Sequence, residues 1–309
     1  MKSKKKKILV VGGTGFIGYH LAKCCLKKKW DVTSLSTKGP KRLRRLNKVS
    51  YKLCDISNFK KLNTLLSNTK YNYVVNLGGY VDHKNKTQVI LSHFKGVKNL
   101  YKIFRNKKIE KFIQIGSSSE YGNVKSPQKE SLMLKPKSFY GKAKLSSSKY
   151  LIKQFKKNKF PVCVLRFYQL FGPYQENNRF IPQLINSCIR KKKFNTSNGE
   201  QLRNFLYIDD GINAILKCIK TKKSIGEIIN IGLTKSIKIK KIMILVKNKV
   251  RYFDPVYGKI KLRKDEPKII YPLLSQMKKI LRFKPKVNFE VGLNRTILFY
   301  KRKLSNQNK

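Results

Sequence analysis

The segment "ILVVGGTGFIG", residues 8–18, constrains the fold more than any other feature of the chain. An apolar run from Ile8 to Val11 breaks into Gly12, Gly13, Thr14 and Gly15, after which Phe16, Ile17, Leu21 and Ala22 recur at helical spacing. A short buried strand, a glycine turn and a helix are the expectation. Gly13, Gly15 and Gly18 fit G-x-G-x-x-G in the setting that gives the pattern meaning. The first permits a tight turn, the second lets backbone amides approach a pyrophosphate, and the third lets helix pack on strand. The helix N-terminus adds amide donors and a partial positive charge. Gly12, Gly13, Gly15, Phe16, Ile17 and Gly18 are thus candidate dinucleotide-binding residues. A secretory leader would need about 7–15 apolar residues and a small-residue cleavage site after the lysines. Ile8–Val11 falls short of that, so the lysines read as a solvated tail before an enzyme's first strand.

Further strand-like runs are Val32–Leu35, Tyr51–Leu53, Tyr73–Leu77, Phe112–Ile115, Val162–Phe167 and Ile228–Ile231. Helical patterns lie between them, near 16–28, 58–67, 87–106, 141–156 and 209–220. This alternation predicts an α/β fold: a Rossmann-type, doubly wound parallel sheet covered by helices on both faces. Loops gather after 168, around Gly172, Pro173, Pro182 and Gly199, and the last seventy-odd residues are irregular. The expected division is a dinucleotide-binding domain from 1–167 plus 205–232 and a smaller, discontinuous substrate lobe from 168–204 plus 233–309. No apolar stretch approaches the ~20 residues of a membrane span. The six cysteines show neither C-x-x-C nor metal spacing and read as small core residues in a reducing cytoplasm.

The 309 residues carry 72 Lys and Arg against 15 Asp and Glu, a formal charge of +57. Nucleic acid, an anionic surface or anionic substrates could each answer to that balance. The basic residues are spread along the whole chain without an aromatic–basic binding motif, which argues against a dedicated nucleic-acid binder. Only 13 of the 72 are Arg, leaving 59 Lys, so each Arg marks a place where a rigid bidentate fork is wanted.

Two pieces carry chemistry. "IGSSSEYG" puts serines at a strand's C-terminal end, where open α/β sheets bind ligands. "SFYGKAK" opens a helix with Tyr140 and Lys144 on one face at i and i+4. A free tyrosine, with pKa ~10, is a poor base at neutral pH. A neighbouring cation favours phenolate and brings that value toward the useful range. Alone, a Y-x-x-x-K pair is usually a surface pair and a serine run usually a turn; together, after a glycine-rich βα turn, they read as a site.

In these motifs the chain resembles the extended short-chain dehydrogenase/reductases, specifically the NAD-dependent epimerase/dehydratase group acting on nucleotide sugars. The resemblance runs in order through "ILVVGGTGFIG", "YVVNLGG", "GSSSEYG", "YGKAK", "LRFYQLFGPYQ", "GEQLRNFLYIDD" and "FKPKVNFEVGL", nearly the whole chain. It implies Tyr140 as general acid/base, Lys144 as ribose ligand and modulator of Tyr140, and Ser117 as the hydroxyl that holds the reacting oxygen. Asp55 matches the acid that meets the adenine amino group; Ile56, Leu77, Gly78 and Gly79 are expected beside it on the cofactor. Arg203 and Arg263 match arginines that meet a diphosphate, with Arg179 a third and Arg166 assigned to tying strand to sheet. Ser118 and Gln169 are expected on the substrate side.

Departures narrow the function. Dehydratases carry an Asp-Glu pair after the catalytic hydroxyl residue, where this chain has Ser118 and Ser119, and Glu120 is one place late and expected to point elsewhere. Dehydration is not expected. His93 stands where the group often has Asn, with a water relay and simple packing both open to it. The second strand lacks the terminal acid that NAD enzymes aim at the ribose; Asp31 is at its beginning. Ser36, Thr37 and Lys38, then Arg42, Arg44 and Arg45, lie at the right end and favour NADP(H) over NAD(H). The expectation is a cytoplasmic, metal-free oxidoreductase acting on a nucleotide-diphosphate sugar, a homodimer by resemblance, without a specific nucleic-acid partner. A 4-keto-6-deoxy-sugar reductase is preferred, with a 4-epimerase retaining NAD as the alternative and a non-catalytic RNA-binding Rossmann protein as the remote one.

Overall fold

The computed structural model describes residues 5–80, 85–261 and 267–306. Every strand expected from the apolar runs forms: β1 (Lys7–Val11), β2 (Asp31–Ser36), β3 (Val49–Leu53), β4 (Tyr73–Asn76), β5 (Lys111–Ser117), β6 (Val162–Phe167) and a last strand over Ile228–Ile231. They build a seven-stranded sheet in the order Ile228–Ile231, β6, β5, β4, β1, β2, β3. Every pairing in it is parallel. A sheet covered on both faces needs apolar residues on both, which is why β4 and β6 are buried throughout and read as mostly apolar runs. The strand order reverses at β1, whose neighbours are β2 on one side and β4 on the other. There the connections diverge and leave a crevice at the strands' C-terminal ends.

Helices α1 (Phe16–Lys27), α2 (Phe59–Leu66), α3 (Lys86–Ile90), α4 (Gly96–Phe104), α5 (Phe139–Asn158), α6 (Phe180–Ile189) and α7 (Ile208–Lys220) follow in chain order. After them come α8 (Ile239–Val250), α9 (Ser275–Leu281) and α10 (Phe289–Ser305). The helix expected over 87–106 is interrupted between α3 and α4 by a π turn, Leu91–Lys95, which a 3.6-residue period does not reveal. Side chains cap several starts: Asn58 Oδ1 accepts the Lys61 amide at 3.1 Å, and Ser138 Oγ that of Gly141 at 3.1 Å.

Two apolar cores lie against the sheet. One joins Leu9, Val11 and Val74 to α2 and α4 through Leu62, Leu66 and Leu100. The other joins Ile8, Val10 and Ile113 to α1 and α7 and continues unbroken to Met243 and Tyr300 in α8 and α10. Short strand pairs, Phe194–Asn195 with Pro255–Val256 and Leu202–Arg203 with Ile237–Lys238, tie the 168–204 stretch to the one after 233. Another pair, Gln169–Phe171 with Phe205–Tyr207, crosses the expected boundary at 204/205. All six cysteines are free, and no helix among the described residues is long and apolar enough to cross a membrane.

Asp210, in the first turn of α7, is buried and accepts the backbone amides of Lys286 at 3.0 Å and Val287 at 2.8 Å. It anchors the approach to α10. Asp210→Ala leaves both amides unanswered and should lower stability by about 3 kcal/mol, hydrogen bonds to a charged group being worth ~1.5–3 kcal/mol each. Equilibrium urea unfolding measures it, and a midpoint equal to wild type would contradict the anchoring.

Candidate active site

At the crevice lies a cavity of about 770 Å³. Its size falls in the upper part of the ~300–1,000 Å³ range of small-molecule sites. The glycine turn forms one end. Gly12 has a positive φ of 77°, and its amide donates to the Leu35 carbonyl at 2.7 Å, fixing the turn to β2. A Cβ on Gly18 would stand 2.3 Å from the Gly12 carbonyl oxygen, and one on Gly13 would stand 2.3 Å from Ser34 Oγ. Only glycine lets α1 seat this closely. The α1 N-terminus, Gly15, has no side-chain cap, so first-turn amides remain for a ligand. Gly12, Gly15, Phe16, Ile17 and Gly18 all line the cavity, while Gly13 serves the packing beneath it. These features fit a dinucleotide pyrophosphate.

Ser36 and Thr37 line the cavity at the end of β2, and Ser36 Oγ accepts the Thr14 amide at 3.2 Å. Lys38 and Arg42 stand outside the lining, and Asp31 pairs with Lys5 at 2.6 Å at the strand's beginning. Arg44, counted from sequence among the cations beside a 2′-phosphate, is buried and committed elsewhere. Its guanidinium donates to Glu176 Oε1 at 2.7 Å, to the Tyr174 carbonyl, and to the Thr14 carbonyl at 3.4 Å. It thereby ties the segment after β6 to the glycine turn at the cavity's rim. Asp55, Ile56, Leu77, Gly78 and Gly79 continue the lining. Asp55 Oδ1 accepts the Ser57 amide at 2.8 Å.

The candidate catalytic residues come together from β5 and α5. Ser117 ends β5 and caps a 3-10 turn over Ser118–Glu120; its hydroxyl oxygen accepts the Ser119 amide at 3.1 Å. Tyr140 lies in the first turn of α5, with the Ser117 hydroxyl acting on its phenol. One turn on, Lys144 is buried, with Nζ donating to the Ile115 carbonyl at 2.8 Å and lying 5.9 Å from the centre of the Tyr140 ring. Burial pulls the Lys144 ammonium down to about 8, against the opposing charge of Glu120. Burial pushes the Tyr140 phenol up; the Ser117 hydrogen bond and the Arg179 guanidinium pull it back, and Glu120 adds to the rise. In this arrangement the phenol is protonated at neutral pH, and Arg179 is a cation acting on it that the i, i+4 spacing did not reveal.

His93, from the π turn, packs edge-to-face on Tyr140 with centroids 5.1 Å apart and an interplanar angle of 81°. Its Nε2 lies 3.2 Å from the Tyr80 carbonyl oxygen. Gly79 makes this possible, because a Cβ there would fall 1.8 Å from the imidazole. Packing against the tyrosine is one of the two roles that the sequence left open. Ser118, Gln169 and Arg179 line the cavity. Arg203 is buried outside the lining and donates to the Leu202 carbonyl at 2.9 Å and the Lys268 carbonyl at 3.2 Å. Arg263 lies outside the described residues. Glu120 does turn away from the cavity, back onto the Ser117 amide and into an ion pair with Arg166 at 2.9 Å. Sequence reasoning missed Tyr80, Gln88, Ser92, Gln175, Glu176 and Asn178, which the fold brings to the lining from distant segments.

The chain is thus a Rossmann-type protein with Ser117, Tyr140 and Lys144 lining one cavity with the glycine turn. The family model of the NAD-dependent epimerase/dehydratase family matches residues 8–232, and the chain belongs to that family. A dTDP-D-glucose 4,6-dehydratase of Dictyostelium discoideum is 30% identical over 74% of this chain, which spans 58% of that relative's length. A UDP-glucuronic acid 4-epimerase from Bacillus cereus, solved with UDP-glucuronic acid and NAD, superposes with a TM-score of 0.86 at 27% identity, covering 96% of this chain and 99% of the other. The fold of a UDP-glucose 4-epimerase from Thermotoga maritima, solved with UDP-glucose, matches at a TM-score of 0.91 with 24% identity over 96% and 99% of the two chains.

Two outcomes test this geometry. Lys144 titrates near 8 folded and at 10.5 as a free lysine, so the unfolded chain binds more protons between those values and stability rises with pH across that window. Relative to Lys144→Met, the wild type should therefore be at a disadvantage of roughly 3 kcal/mol below about pH 8, vanishing above about pH 10.5. Urea unfolding of both proteins across that range measures it, and parallel curves would contradict the buried-ammonium account. Tyr140→Phe should lower turnover by about 10²–10⁴-fold while leaving NADH binding intact, as fluorescence titration would show.

Proposed function

We propose that this protein moves a hydride at a hexose carbon, C4 on our reading, of a nucleotide-diphosphate sugar. Residues 1–167 and 205–232 would hold NAD(P), and residues 168–204 and 233–309 the sugar nucleotide. The observation that carries the reading is the convergence of Ser117, Tyr140 and Lys144 on one cavity with the glycine turn. Bound there, NAD(P) supplies the hydride acceptor and donor. Tyr140 moves the proton of the sugar hydroxyl. Ser117 holds that oxygen by donating to it, and Lys144 holds a ribose hydroxyl and keeps a positive charge beside the phenol. Arg179, Arg203 and Arg263 are assigned to the diphosphate, where guanidinium forks suit phosphate oxygens. Dehydration is disfavoured, because Ser118 and Ser119 offer no carboxyl group to the sugar.

Two fates follow from the same centre. Arg44 clasps the Tyr174–Glu176 segment to the glycine turn, which favours a cofactor retained between turnovers and hence a 4-epimerase. A second reading, a 4-keto-sugar reductase using NADPH, is favoured by the end of β2, where Ser36, Thr37 and Lys38 offer the ribose no carboxylate. The relatives solved with UDP-sugars support UDP as the first nucleotide to try. A cytoplasmic location accords with six free cysteines, and a homodimer belongs to the reading by family likeness.

Denaturing the purified protein and identifying the released nucleotide tests the choice. The epimerase reading predicts near-stoichiometric NAD and 4-epimerisation of UDP-glucose or UDP-glucuronic acid without added cofactor. An empty site that binds NADPH far better than NADH selects the reductase, and RNA without dinucleotide overturns both. Arg44→Ala should speed dinucleotide release by about tenfold, the equivalent of ~1.4 kcal/mol of lost clasp. An unchanged release rate would contradict the retention argument.

A further inference from the structure

We propose that Glu120 and Arg166 act together as the positioning unit for Ser117, fixing the direction in which its hydroxyl donates. This rests on reading Ser117, Tyr140 and Lys144 as the proton-transfer set. Glu120 Oε1 accepts the Ser117 amide at 2.9 Å while Ser117 Oγ accepts the Ser119 amide at 3.1 Å. The arrangement is a reciprocal capping box. With one lone pair of the hydroxyl engaged by a backbone donor, its proton is directed to the Tyr140 phenol or to a substrate oxygen. The Glu120 carboxylate is wholly buried, and its second oxygen takes Arg166 Nε at 2.9 Å.

Arg166 is held in turn. Its guanidinium lies 4.9 Å from the centre of the Tyr121 ring, and Nη1 donates to the Tyr121 hydroxyl at 3.3 Å. Tyr121 donates to Asn230 Oδ1 at 2.8 Å, and Asn230 Nδ2 donates to the Gln128 carbonyl at 2.8 Å. The serine is thereby tied across β6 to the last strand. Gly116 leaves room for the carboxylate, since a Cβ there would lie 2.5 Å from Glu120 Oε1.

Stability alone is a poor reason for such a pair. Buried ion pairs replaced by apolar residues of similar volume often leave a protein as stable or more so. What the pair supplies is orientation and a fixed charge behind the centre. The charged and titratable groups that face Tyr140 and Lys144 are Glu120 from the turn after β5, Arg179 from the start of α6 and His93 from the π turn. Glu120 faces Arg166, whose charge also acts on the Glu130 carboxyl.

The test is the double variant Glu120→Val/Arg166→Met, with Ser117→Ala as reference. We expect it to melt at or above the wild-type temperature and to bind NADH with wild-type affinity. Its kcat for UDP-glucose or UDP-glucuronic acid should fall by at least about tenfold, with KM changed by less than about twofold, the signature of lost positioning. Its Tyr140 phenol, titrated by tyrosinate absorbance against Tyr140→Phe, should titrate above wild type, as in Ser117→Ala, because the lost Ser117 bond outweighs the lost Glu120 charge. A folded double variant with wild-type kcat and an unmoved phenol overturns the proposal. Should the double variant not fold, Glu120→Gln takes its place. The amide can answer Ser117 or Arg166 but not both, so kcat should fall and the phenol titration move. Should the wild type turn over neither sugar nucleotide, the functional reading fails, and the phenol titration, which needs no substrate, decides the positioning claim.

Discussion

The close approach of α1 to the glycine turn is the contact on which the rest depends. Gly18 sits where any side chain would run into the Gly12 carbonyl, so the helix starts directly above the end of β1. That places unpaired first-turn amides at the point where the strand order reverses. The same point receives β5 with Ser117 and α5 with Tyr140 and Lys144. One steric allowance thus sets the glycine turn and the Ser117, Tyr140 and Lys144 side chains about one cavity on a single sheet.

The second organising constraint is the scarcity of acids. Against 72 cations the chain has 15 carboxylates, and several of those few stand at junctions. Asp210 answers backbone amides before α10, Glu176 clasps Arg44 over the cavity rim, and Glu120 joins Arg166 behind Ser117. Exposed pairs such as Lys238 with Glu200 add little, whereas a partly or wholly buried carboxylate fixes geometry. The surplus of lysine is solvated around this framework and says little about partners.

Much of this was legible in the sequence. Apolar runs located the strands because a parallel sheet buries both faces, and the i, i+4 spacing put Tyr140 and Lys144 on one face of α5. The glycine pattern located the turn between β1 and α1 that lines one end of the cavity. What stayed hidden depends on contacts across long separations. Arg44 and Glu176 are 132 positions apart, and no local pattern announces their pairing. The π turn that turns His93 onto Tyr140 breaks the period by which helices are read. Glu120 was expected to point away from the substrate, and it does, but its bond to the Ser117 amide becomes visible only once the 3-10 turn is in place. Arg203 was picked out by position as a phosphate ligand, and the bond of its buried guanidinium to the Lys268 carbonyl, 65 positions away, was another long-range contact that no local pattern announced.

Hydride transfer at C4, with Tyr140 as the proton carrier, is the central claim, and isotope transfer tests it most directly. The protein would be loaded with NAD and incubated with UDP-glucose or UDP-glucuronic acid deuterated at C4, and the converted sugar analysed by mass spectrometry. The account predicts that the wild-type product keeps its deuterium at C4, carried to the dinucleotide and returned from it, and that Tyr140→Phe converts little or none. A converted sugar whose C4 deuterium has been exchanged for solvent hydrogen, or equal conversion by the phenylalanine variant, would contradict it.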